Sequence, residues 1–129
     1  MARLIVTFIL IAGLIVAATF EQIFINNIYG KLGQDLETLS ATMEVQTDVN
    51  TPANIAKIGA MYKYWSKKEK TLAFFARHTE LSFISDALIY IKNFTEFNDK
   101  KEAFAGIQRL RYLIDPHSFN VGTSIQNVI

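Results

Sequence analysis

The hydrophobic pattern divides this chain into one long uninterrupted run followed by a series of stripes. Leu4 to Phe20 read LIVTFILIAGLIVAATF, seventeen positions without a charge. As a helix the run spans roughly 26 Å at ~1.5 Å per residue, just short of a ~30 Å hydrocarbon core. Glu21 and Gln22 interrupt it, and Ile23, Phe24 and Ile25 resume at once, so tilting or snorkelling ends can match the bilayer. A buried core helix is the alternative, and an N-terminal run this apolar on every face argues against it. From Ile25 the apolar positions fall at Ile25, Ile28, Leu32, Leu36, Leu39 and Met43, in steps of three and four. That spacing predicts one face of a helix continuing out of the membrane.

Asn50-Thr51-Pro52 then supplies a turn, with Thr51 as N-cap and Pro52 at the first helical position. The second stripe is Ile55, Ile58, Tyr62, Trp65, Glu69, Leu72, Ala76 and Thr79, a heptad seam that Glu69 interrupts. A third follows at Leu81, Ile84, Leu88, Ile91 and Thr95. Between them lies Arg77-His78-Thr79-Glu80, without glycine or proline. The change of phase favours a break with Thr79 capping a new helix, and one continuous bent helix is the alternative. Phe97-Asn98 forms the next loop. Asp99 to Glu102 has capping-box spacing and opens a helix carrying Phe104, Ile107, Leu110 and Ile114, which Asp115-Pro116 closes. His117 to Ile129 is polar until Val128-Ile129. The pattern predicts an all-α protein, a transmembrane helix (residues 1–24) continuing into an up-down four-helix bundle (residues 25–129).

Charge adds an orientation and a pairing. Arg3 precedes the apolar run, and Glu21 is the first charge after it. The positive-inside bias puts the N-terminus in the cytoplasm and the bundle outside, in a single-pass plasma-membrane protein. Val16-Ala17-Ala18 would suit cleavage of a signal peptide, but no turn-forming residue follows, which favours the uncleaved anchor. From Glu21 to Asp48 five acids face Lys31 alone, whereas Pro52 to His78 carries six bases against Glu69. These opposite charges predict that the first two helices pair as an antiparallel hairpin. Apart from Arg3 the 129-residue chain has 12 basic and 12 acidic residues, a balance that gives no footprint for nucleic acid. It has no cysteine, so disulfides, thiolate metal sites and thiol nucleophiles are excluded.

Trp65 with its trailing lysines, His78-Thr79-Glu80-Leu81, the Asp99–Glu102 helix start and the terminal Asn127-Val128-Ile129 carry a resemblance. From Trp65 to Ile129 the chain resembles a family of small anchored proteins from spore-forming Gram-positive bacteria, domain of unknown function 4363. The resemblance implies a short N-terminal hydrophobic anchor and no defined activity.

Candidate chemistry is sparse. His78, Glu80 and His117 form the one constellation with a metal-type donor set, because the ends of the second and fourth helices share a pole in an alternating bundle. Two histidines so far apart in sequence fit better as residues at helix C-termini, interacting with the last carbonyls. No serine has a nucleophile setting, and no glycine-rich loop exists to hold phosphate, so neither an enzyme nor a cofactor is expected. Trp65 and Tyr62 read as core. The group Phe74, Phe75, Phe83, Tyr90, Phe94, Phe97, Phe104 and Tyr112 is larger than one seam can bury, and exposed aromatics mark a partner surface or the membrane. The expected function is a membrane-anchored interaction module with the lipid bilayer and a membrane protein as partners. The alternative is a small ligand- or metal-sensing bundle that acts through a partner.

Overall fold

The computed structural model describes residues 1–74 and 78–115, with His78 described by its backbone alone. Four helices follow one another: α1 (Ala2–Glu44), α2 (Pro52–Leu72), α3 (His78–Glu96) and α4 (Lys100–Ile114). Each packs against its neighbours in order and α4 closes back on α1, as in an up-down bundle.

α1 is a single helix of 43 residues, and nothing interrupts it at Glu21 or near residue 24. Among the described residues none of its apolar N-terminal stretch is buried. Phe24 and Ile25 are the first side chains to lean on the core, and from Ile28 the predicted stripe is buried through Leu32, Leu36, Leu39 and Met43. By length and composition the helix is able to cross a membrane, a requirement that a signal sequence also meets.

The chain breaks between α2 and α3, as the phase change predicts. Thr79 does not cap α3, however: the helix already includes His78, and Thr79 is its second residue. His78 accordingly opens α3 and does not close α2, which removes the C-terminal dipole as its setting. The other caps match the sequence. Thr51 Oγ1 accepts from Asn54 N at 3.2 Å with Pro52 at the helix start, and Asp99 Oδ1 accepts from Glu102 N at 3.1 Å. Glu102 does not return the bond: Asp99 N already donates to the Phe94 carbonyl at 2.8 Å, and the Glu102 carboxylate accepts from Tyr90 Oη.

The core face of α2 is Asn54, Ile58, Met61, Trp65 and Leu72. Ile55, Tyr62 and Glu69 are only half-buried, so the heptad seam lies slightly off the observed face. Met61, three residues after Ile58 and four before Trp65, is buried in that face, and Tyr62 packs at its edge. On α3 all five positions of the stripe are buried, and Ala87 joins them. α4 buries Ile107, Leu110 and Ile114 together with Ala103 and Gly106. A Cβ on Gly106 would come within 2.8 Å of Ile91 Cγ1 and Tyr90 Cδ1, so its missing side chain is what lets α4 approach α3.

The α1–α2 pairing is antiparallel, but charge does not hold it residue by residue. Among the described residues one ion pair joins the two helices, Lys57 Nζ to Asp35 at 3.2 Å. Asp35 also takes Lys31, while Glu37 pairs with Arg111 of α4 at 2.6 Å. The apolar faces supply the pairing, since exposed ion pairs contribute at most ~1 kcal/mol each.

Candidate functional site

Three α1–α2 contacts set the levels along the bundle. Asp35 meets Lys57, the Tyr29 and Trp65 ring centroids are 6.4 Å apart, and Lys31 Nζ lies 5.2 Å from the Tyr64 ring. Each step further along α2 is therefore level with a residue one nearer the start of α1. On the other side of α1, Arg111 meets Glu37 and Ile114 lies against Gly33. α4 thus ends near Gly33, while α2 extends beyond Tyr29 towards the apolar run.

Among the described residues this mismatch in reach leaves α1 uncovered below the end of α4. A groove of about 900 Å³ opens there, bordered by Gln22, Asn26, Tyr29, Gly30, Arg111 and Ile114. Gly30 adds no side chain to the floor, and a Cβ there would meet nothing within 4 Å. The border combines amides with charged groups, Asp35 paired to Lys31 and Lys57 and Glu37 paired to Arg111, so it presents hydrogen-bonding groups beside an apolar wall. Such mixed lining suits a polypeptide or a polar small molecule better than a lipid tail.

Tyr29 links this groove to the core. Its ring packs against Trp65, which is fully buried and donates its Nε1–H to Ser85 Oγ at 2.8 Å. Burial pushes the Tyr29 phenol above its usual range, and the negative charge of Glu80 adds to the effect.

Of the three candidate ligands, Glu80 is half-buried in the first turn of α3, on the side that acts on Tyr29. His117 and the His78 side chain lie outside the described residues. Among the described residues no three His, Cys, Asp or Glu side chains converge as metal ligands. Glu80 is thus the one member of the trio whose side chain is described, and the groove opens at the same pole of the bundle. Sequence reading missed that groove because no stripe signals where one helix outruns another. The glycines of α1, Gly30 and Gly33, were its only trace.

The aromatic surplus is exposed in part. Phe74, Phe97, Tyr112 and Phe83 lie open, with Phe74 and Phe97 at opposite ends of the bundle. Tyr90, Phe94 and Phe104 are half-buried, Tyr90 and Phe94 with ring centroids 4.6 Å apart. Phe75 is outside the described residues.

The far pole is fixed by polar contacts that no motif announces. Asn98, in the left-handed region at φ 57°, accepts from Val49 N at 2.8 Å and donates to Asp48 Oδ1 at 2.9 Å. Lys100 Nζ donates to the carbonyls of Glu44 and Gln46 at 2.9 and 2.7 Å, supplying to the end of α1 the cation its own last turn lacks.

No curated protein and no solved structure shows significant similarity to the chain. One family model does match, over residues 19–128, beginning where the apolar run ends and taking in the whole bundle. The chain belongs to the family defined by this domain of unknown function, DUF4363.

Proposed function

We propose that this chain is a single-pass plasma-membrane protein with its N-terminus in the cytoplasm. Its bundle stands outside as an interaction module, an accessory subunit of a membrane complex. The observation that carries the reading is the continuity of α1, whose first half is apolar and unpacked while its second half supplies a wall of the core. Without a hinge, the groove at Gln22 to Gly33 is held beside the point where the helix would leave the bilayer. A partner spanning the same membrane meets that groove without bending, and its polar rim offers hydrogen bonds to an emerging backbone. Sensing of a small polar ligand in the same groove is the second reading, favoured by the amides of Gln22 and Asn26.

The absence of cysteine makes the test direct. With a membrane-impermeant maleimide, a single cysteine at Thr42 should react in intact cells and one at Ala2 only after permeabilisation. Photocrosslinkers at Asn26 and Gly30 should give a discrete adduct with a membrane protein that Lys101, at the far pole, does not give. A soluble mature chain starting near Thr19, or labelling of Thr42→Cys only after permeabilisation, would overturn the topology. Crosslinks equally strong from Lys101 would remove the groove as the contact.

A further inference from the structure

Lys63, Lys67 and Lys70 of α2 and Phe74, two residues past its end, follow one another in steps of four, three and four, so they fall on one helical face. That face is opposite to Ile58, Met61, Trp65 and Leu72, and all four side chains are exposed, Phe74 at 86%. The helical geometry holds through the stripe, since Ala73 N and Phe74 N still bond back to the carbonyls of Glu69 and Thr71. Among the described residues no carboxylate lies within ion-pair range of Lys63, Lys67 or Lys70. Glu69, the nearest acid in sequence, is half-buried off this face.

The register with α1 gives this stripe a depth. Tyr29 is level with Trp65, so Phe74, nine residues on, is level with Phe20, the last residue of the apolar run. At ~1.5 Å per residue Lys70 lies roughly 6 Å further out, Lys67 roughly 10 Å and Lys63 roughly 16 Å. An exposed phenylalanine at the boundary, with cations stacked behind it, is the arrangement that lets an apolar tip enter the headgroup layer while ammonium groups meet phosphate.

We propose that this outer face of α2 is a docking surface for anionic lipid headgroups, a reading that rests on the membrane anchor proposed above. Because α1 is continuous, docking fixes the tilt of the whole molecule towards its α2 side and so orients the groove on α1. Attraction to an anionic surface decays over a Debye length of ~8 Å, so Lys70 contributes most and Lys63 least.

The test uses the full chain reconstituted into phosphatidylcholine vesicles, with and without phosphatidylglycerol. Nitroxides are placed at Thr71→Cys, beside the stripe, and at Ala12→Cys, inside the apolar run. Collision with a water-soluble nickel chelate reports depth. We expect the Ala12 label to be shielded in both vesicles and the Thr71 label to be shielded only where phosphatidylglycerol is present. Lys70→Gln should lower the ratio of docked to undocked Thr71 spectra about fivefold, Lys67→Gln less and Lys63→Gln least, and high salt should abolish docking. A shielded Ala12 label with Thr71 equally accessible in both vesicles overturns the docking surface and leaves the anchor intact. Shielding of Thr71 in neutral vesicles as well would overturn the recognition of charge. Accessibility at Ala12 overturns the anchor and this proposal with it.

Discussion

At the scale of single residues, two glycines of this bundle have opposite meanings. Gly106 is buried where α4 crosses α3, and an added methyl would collide with Ile91 and the Tyr90 ring at 2.8 Å. Overpacking of this kind costs more than the ~1 kcal/mol that alanine gains in helix propensity. Gly106→Ala should therefore destabilise the chain by about 1–2 kcal/mol. Gly59 lies mid-helix in α2 with open space around its Cα, so Gly59→Ala should stabilise by about 0.5–1 kcal/mol. Urea titration in detergent micelles, followed by fluorescence of the lone tryptophan at the centre of the core, measures both. Equal effects of the two substitutions would show that the α3–α4 approach is not close.

At the scale of elements, the connections are held by side chains that reach into loops. Asn54 is buried in the first turn of α2, and its amide donates to Gln46 Oε1 at 2.6 Å and to the Val49 carbonyl at 2.9 Å. It thereby folds the loop between α1 and α2 over the helix that follows. Asn54→Ala should cost about 1–3 kcal/mol, because the Val49 carbonyl would be left without its partner. Asn54→Asp should cost more, since a carboxylate brings a charge and only acceptors to a site that already holds two acceptors. Both are read from urea midpoints, and a smaller loss for aspartate than for alanine would mean that the loop rearranges freely. Together with the bonds of Asn98 and Lys100, this contact ties both far-pole loops into one unit.

For the whole molecule the titration behaviour has a definite sign. Burial, and then the charge of Glu80, raise the pKa of Tyr29. Its hydrogen bond to Glu102, followed by burial and nearby carboxylates, raises that of Tyr90. The folded chain holds these two protons more tightly than the unfolded chain, whose phenols titrate near ~10. Their contribution is complete below that value and declines as pH rises through it towards the folded-state pKa. Helicity should thus become easier to melt from about pH 9 to 11, and Tyr29→Phe with Tyr90→Phe should flatten the decline. Circular-dichroism melts across that range decide it. A decline as steep in the double variant would remove the two tyrosines as its cause. Topology and lipid contact also belong to this scale, and the two labelling experiments above test them separately.

The sequence by itself determined the helices. Three of the four buried stripes can be read at their own spacing, from Ile28 to Met43, Leu81 to Thr95 and Ile107 to Ile114, because burial on one face leaves a period of three to four. Thr51 and Asp99 mark their helix starts, since each hydrogen bond spans three residues. The long apolar run is equally local and needs no partner to be recognised. What the sequence left open depends on relative placement. Tyr62 and Met61 are adjacent and both apolar enough for a seam, and only the positions of α1 and α3 decide that Met61 is inside. That the Glu102 carboxylate turns to Tyr90 depends on how α4 packs against α3. The groove exists because α2 outruns α4 along α1, and the lysine stripe gains a depth only through its register with that helix. Differences in helix reach and register are set by packing across the bundle, and no stretch of one chain segment encodes them alone.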